Sequence, residues 1–471
     1  MKFPFNEGGT GLRKSNLRQE LLNEDLISYN PKQWRINIPF KDYNFRVEDI
    51  VPALSGAIGK VSLVAAFAVA WAAGFNITDP SFVTENVRLE IVFASILTIL
   101  FCAILNPYAG PPGTLAPLIP IIPVMISSGV HPLPLSILIG LIGLVISAFR
   151  YFSKIVEING EGTKGGIILL FGFLGISSSL ENLSNWADKS KAPELFVLLL
   201  IVGLVLYILL NKFKARWLII PACAVAAIAV SSYFGLYPTF KTGIGLPIIN
   251  PDIWWNEKWG IGWGLNAENF IKALPFALLA VVMWPIDALA VKTIQEANYP
   301  KEAEKAVFDM NSTYIIVALR NIVGVLLGGA QISAIWRSFM IPLGIVKRPI
   351  GASALILGIL GVSFGILGFP IDIAVFPPLL WLVLIFGVFI PLIEVGLNTI
   401  KSAASAQVAA VCIIAGIAVN PVLGWIASIF VENFEIIKDS ENDRILSAKD
   451  RYITAGLVIV TVITFLSAYI L

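Results

Sequence analysis

Apolar residues along this chain neither alternate nor trace a single helical stripe. They come in long, nearly continuous runs, separated by short polar or Pro- and Gly-rich stretches. A run of about 18 or more such residues can cross a bilayer core of about 30 Å as a helix. Read run by run, the first half predicts spans near 51–75, 88–106, 114–129, 132–152, 164–183, 194–211 and 216–235. The second half predicts spans near 269–294, 311–328, 333–346, 351–369, 373–399, 403–419 and 451–471. The segment PVLGWIASIFVENF, 421–434, is shorter and reads as an interfacial helix, with a span of its own as the alternative. The expected fold class is an all-α polytopic membrane protein with about 14 transmembrane segments.

The polar stretches divide the chain. Residues 1–50 are mixed in charge and have no apolar centre, so they read as a cytoplasmic N-terminal arm and not as a signal peptide. Residues 51–235 form one seven-span half and 269–471 another, joined by a connection at 236–268. That connection holds Trp254, Trp255, Trp259 and Trp263. Tryptophan clusters favour the headgroup zone, which places it on the outer surface; an ordinary loop packing its own tryptophans is the alternative. With the amino terminus inside, Arg150, Lys154, Lys164, Lys212, Lys214, Arg216, Lys301, Lys305, Lys347, Arg348 and Lys401 fall on cytoplasmic connections. The acidic connection at 76–87, with Asp79 and Glu85, falls outside. This is the positive-inside bias of an inner (plasma) membrane protein.

An odd number of crossings returns the second half inverted, and inverted repeats are a mark of secondary transporters. The third span opens with NPYAGPPGT, Asn106 to Thr114, whose three prolines and two glycines cannot continue a helix. At the matching place in the second half, the tenth span opens with GGAQISAI, Gly328 to Ile335. Non-helical backbone at membrane depth survives only when it is buried in protein or lines a watery cavity. Two matched breaks therefore point to a transport site, against the plainer reading of two surface turns.

Composition sharpens this picture. Of the 471 residues, 57% are hydrophobic and 14% charged, against about 25% charged in a typical soluble protein. A net charge of +2 gives nucleic acid nothing to bind. Cys102, Cys223 and Cys412 lie inside apolar runs, and His131 is the one histidine. That leaves no expected zinc site, Ser-His or Cys-His pair, and hence no enzyme. No GxxxxGK[ST] loop suggests an ATP-driven pump.

Few charges fall deep in the runs. Arg337 stands about ten residues before Lys347, or about 15 Å from the inner surface if the stretch is helical. A charge at that depth costs at least about 2.5–3.5 kcal/mol and usually faces a cavity or a partner. Beside a helix start it would attract an anion, or else pair with a carboxylate to hold helices together. Asp287 in the eighth span is the available acid, two residues after Pro285. It could take up H⁺ or Na⁺ as a coupling ion, or form a permanent pair with Arg337. Gln331, Ser333, Ser338, Tyr108, Gly113 and Thr114 offer neutral hydrogen-bonding groups in and beside the breaks. Lys60 is a further deep cation that could reach the cavity or pair with an acid. Arg320, Asn321 and Glu394 read as structural or interface residues.

The layout resembles the seven-plus-seven inverted-repeat transporters: nucleobase (uracil/xanthine) permeases, sulfate permeases, and band 3-type bicarbonate and borate exchangers. PFALLAVVMWPIDALAV is similar to the eighth span of the band 3 branch and places Asp287 on its acid. ISAIWRSF resembles that branch's tenth-span S-A-T-T-V-R-S element and places Arg337 on its arginine, with an interval one residue shorter. GASALILGILGVSFGILGFPIDIAVFPPLLWLVLIFGVFI is similar to the two spans that follow. The first half matches in layout, with GPPGT in place of the branch's glycine-serine element. The resemblance implies a core domain (spans 1–4 and 8–11), a gate domain (spans 5–7 and 12–14), elevator-type movement and a homodimer. The function expected is secondary transport of a small anion such as bicarbonate or sulfate. Proton-coupled nucleobase uptake and a non-transporting scaffold are the alternatives.

Overall fold

A computed structural model describes residues 8–437 and 447–470. In chain order its helices are α1 (Gly8–Ile27), α2 (Ile50–Gly74), α3 (Phe82–Leu105), α4 (Ala116–Ser127), α5 (Pro132–Ala148) and α6 (Phe152–Ile158). There follow α7 (Glu161–Lys189), α8 (Pro193–Lys212), α9 (Arg216–Tyr233), α10 (Ala267–Asn298), α11 (Met310–Leu326) and α12 (Arg337–Ile345). The remainder are α13 (Ile350–Leu367), α14 (Phe369–Ala374), α15 (Pro377–Thr399), α16 (Ala403–Ala418), α17 (Pro421–Asn433) and α18 (Ala448–Ile470).

Local chemistry sets where these helices begin. His131, Asn266, Asp309, Ser402 and Asn420 each accept a hydrogen bond from a first-turn amide of α5, α10, α11, α16 and α17, groups that otherwise lack an intrahelical partner. The start of α7 is capped from a distant helix. Both Glu432 oxygens, on α17, accept from the amides of Gly162 and Thr163 at 3.0 Å.

Among the described residues, eight helices are long and apolar enough to cross a membrane, or nine if α5 and α6, bent by 104°, make one span. The other expected spans are shorter, apart from the 23-residue α18, which is not among the eight. The nine-residue α12 is only about 13.5 Å long and cannot cross alone. The helical parts of the third and tenth spans begin at Ala116 and Arg337, later than the apolar runs suggested, because the preceding residues are extended.

Packing shows the two halves to be related. α2 packs on α13 as α10 packs on α5, and α3 packs on α13 as α11 packs on α5. α9 lies against α15 and α2, while α17 lies against α7 and α10. This correspondence corrects one expectation. Pro421–Asn433 is the seventh element of the second half, not an interfacial helix, and α18 lies outside the match, against α10 and α17. A 13-residue helix fails a length rule set for full crossings, so hydropathy demoted α17.

The polar segments fold onto the ends of the core. Trp254, Trp255 and Trp259 are buried, with Trp259 edge-on to Trp71 and Phe82. The headgroup reading therefore fails for these three rings, which the core-helix ends cover. At the other end the N-terminal arm is clamped by Arg348. Its guanidinium donates to Asp49 at 3.0 Å, to Asp25 at 2.8 Å and to the Asn44 carbonyl at 3.0 Å. Arg46 adds a second bond to Asp25 at 2.7 Å.

Burial alone would raise the pKa of Asp25, but the bonds and charges of Arg46 and Arg348 outweigh it and hold the carboxyl below the usual range. Asp25 therefore stabilises the fold above its unfolded value of about 3.9, and that contribution is lost as pH falls through the folded value. Acidification below about pH 4 is expected to weaken the arm, and Asp25→Asn to flatten that loss in thermal melts. Arg348→Met leaves the buried Asp49 without a cation and Asp25 with Arg46 alone, and is expected to cost about 3–5 kcal/mol. An unchanged melting midpoint in detergent would show the clamp to be dispensable.

Candidate functional site

The two breaks meet at the centre of the core helices. Their extended chains form an antiparallel bridge between Pro112 and Ile335. Gly113 donates its amide to the Ala334 carbonyl at 2.6 Å, Leu115 to Ile332 at 2.9 Å and Trp336 to Pro111 at 3.0 Å. Backbone groups that lose helical partners at this depth thus find each other. Gly113 permits the approach, because a Cβ there would lie 2.3 Å from the Cα of Trp336.

Side chains satisfy what remains. The Gly113 carbonyl accepts from Gln331 Nε2 at 2.8 Å, Ser333 Oγ at 2.7 Å and Lys60 Nζ at 3.2 Å. Thr114 Oγ1 donates to Gln331 Oε1 at 2.9 Å. The second break is also held by the buried Glu90–Arg320 pair. Glu90 accepts the Gln331 amide at 3.2 Å, and Arg320 donates to the Gln331 carbonyl at 3.0 Å. Asn321 brackets Ser333, and Asn86 brackets Gly328 and Ala330.

Beside this junction lies a cavity of about 370 Å³. Its walls come from α2, α4, α10 and α12 on one side and from α9 and α15 on the other. Its chemistry is concentrated at one end. Arg337, the first residue of α12, donates to Asp287 at 2.9 Å. The Asp287 side chain is 3% exposed and that of Arg337 is 21% exposed, so the arginine keeps a face toward the cavity. Lys60 reaches the same space with its ammonium 4.7 Å from the Trp336 ring centre. At the rim, on the side of the N-terminal arm, Arg216 pairs with Glu394 and Tyr207. Leu63, Ile220, Ile341, Val383 and Val388 line much of the rest.

The structure brings Arg337, Ser338, Thr114 and Asp287 together around this cavity. It places Gly113, Gln331 and Ser333 behind the wall, fully engaged in joining the breaks. Tyr108 lies elsewhere, buried edge-on to Tyr29 of the arm. These four do not line this cavity: an extended break consumes the polar groups nearest it. Lys60 was left undecided, while Trp336, Arg216 and Glu394 gave no clear signal. Arg216 read as one more loop cation, and Glu394 as a structural acid.

Over residues 10–471 the sequence matches the family described as Protein of unknown function (DUF3360). The chain belongs to that family. No curated protein matches it in sequence. Solved structures do match in fold. A structure of SLC26A9 aligns with a TM-score of 0.57 at 15% identity, covering 83% of this chain and 66% of that one. Murine Solute Carrier 26 family member A9, an anion transporter in the inward-facing state, aligns at 0.56 and 15%, covering 84% and 70%. The transmembrane domain of a cyanobacterium bicarbonate transporter, BicA, aligns at 0.53 and 17%, covering 82% of this chain and 98% of that domain. The chain thus spans about two thirds of the SLC26A9 structure and nearly all of the BicA domain. The expected seven-plus-seven inverted-repeat fold is shown.

The close backbone approach at Gly113 carries its own test. Gly113→Val would push against Trp336 and is expected to cost at least about 1–3 kcal/mol, seen as a lower melting midpoint. Wild-type stability in that variant would mean that the two breaks are not in contact.

Proposed function

We propose that this protein is a secondary active transporter of a small anion, such as bicarbonate or a similar oxyanion. The observation that carries this reading is Arg337, at the first turn of a half-helix, with one face in the cavity beside the paired breaks. A fixed cation at the positive end of a helix dipole attracts negative charge. The bicarbonate and anion transporters that share the fold support the same reading. Thr114 and Ser338 supply neutral hydrogen bonds. Asp287 competes with the anion for Arg337, so uptake of H⁺ or Na⁺ by Asp287 would free the arginine and couple the two movements. In this proposal the helices carrying the breaks move as an elevator against α7–α9 and α15–α17, within a homodimer in the plasma membrane whose N-terminal arm is cytoplasmic.

One observation favours a second reading. Arg337 is already paired with Asp287, as it would be if the arginine were structural and a nucleobase were the substrate. Proteoliposomes separate the two. Labelled bicarbonate or sulfate is expected to enter, with Arg337→Ala lowering uptake by about 30-fold or more. Uptake of uracil or xanthine that ignores Arg337→Ala would sink the anion reading.

A further inference from the structure

Lys60 is the unusual group in this cavity. It is 1% exposed, it lies at the middle of a spanning helix, and among the described residues no carboxylate pairs with it. Two carbonyls, of Pro112 and Gly113, accept from its ammonium at 3.2 Å, and the Trp336 ring lies beneath it. An ammonium has three donors, so one is left over, on a side chain that lines the cavity. Carbonyls and a ring face solvate a cation, but they do not cancel its charge.

Every other charge facing this region is cancelled locally. Arg337 is balanced by Asp287, Arg216 by Glu394 at the rim, and Arg320 by Glu90 behind the wall. Among the described residues an ammonium on Lys60 would be the one positive charge here that no carboxylate balances. A buried charge without a counter-charge is costly, and the cavity offers room for the missing one.

Resting on the transport reading above, we propose that Lys60 is the counter-charge of the transported anion and that the site is therefore selective for monoanions over dianions. While Asp287 and Arg337 stay paired, a monoanion brings the loaded cavity to neutrality, whereas a dianion leaves a net negative charge in a low-dielectric space. The same sum gives Arg337 a second task besides facing the anion, which is to balance Asp287. Removing it leaves Asp287 to neutralise Lys60, and the attraction for an anion disappears.

Equilibrium binding to the purified protein, by titration calorimetry with sodium formate, bicarbonate or sulfate at matched ionic strength, tests this. Wild type is expected to bind formate and bicarbonate about tenfold or more tightly than sulfate, and Lys60→Gln to lose that binding by a similar factor. Lys60→Arg should retain it. The decisive pair leaves Lys60 untouched: Arg337→Gln should bind poorly, and Arg337→Gln with Asp287→Asn should recover to within about tenfold of wild type. Sulfate preference, normal binding by Lys60→Gln, or a double variant as weak as Arg337→Gln would each overturn the proposal while leaving anion transport standing. If Lys60→Gln does not yield monodisperse protein, the double variant and the wild-type preference decide. Wild type that binds no anion of either charge would remove the transport reading and this one together.

Discussion

Two stretches of backbone at membrane depth cannot be helical, and neither can reach water through a lipid-facing surface. That constraint organises the molecule. Each extended stretch supplies the other's hydrogen-bond partners, and the leftover carbonyls and amides recruit buried polar side chains from helices that would otherwise be purely apolar. Glu90 and Arg320 belong to this scaffold. A buried ion pair gives little net stability when compared with a well-packed apolar pair. Here each member also bonds the Gln331 backbone, a task that no apolar residue could take over.

The segments outside the membrane repeat the pattern from both ends. Tyr29 of the arm donates to the Pro107 carbonyl at the entrance of the first break. Trp259 of the connection donates to Gly328 at the entrance of the second. The breaks are thus held at their outer ends by elements that pack on the same helices. The cavity, by contrast, lies between those helices and α9 and α15, where the contacts are apolar side chains and one rim ion pair. Rigid support on one side and a weakly polar seam on the other are what the proposed elevator movement would need.

Much of this was legible in the residues. Runs of apolar residues located nearly every helix, and the prolines and glycines of 106–114 and 328–335 marked the breaks because they violate helical geometry visibly. Arg337 and Asp287 stood out because charge is rare at that depth, and they do meet. Other features had no local signature. Gln331 and Ser333 look like substrate ligands in one dimension, yet face their symmetry partner in three. Lys60 and Arg320 are both deep cations, and among the described residues only Arg320 has an acid beside it. The half-length α17 was lost because a window sized for a full crossing cannot see it. The tryptophans of 236–268 obey a statistical preference for interfaces that local burial overrides.

The junction also sets an order in which the protein can be made. Gly113 and Ser333, which hydrogen-bond to one another, are separated by 220 residues. While the ribosome is still synthesising the intervening helices, the first break has no partner for its exposed backbone. It must remain at the membrane surface, or be shielded within the insertion machinery, until the second arrives. The final packing of the third span therefore waits until the chain has been made as far as Trp336. A chain that terminates anywhere before Trp336 should be recognised by quality control as unassembled, however apolar its completed helices are.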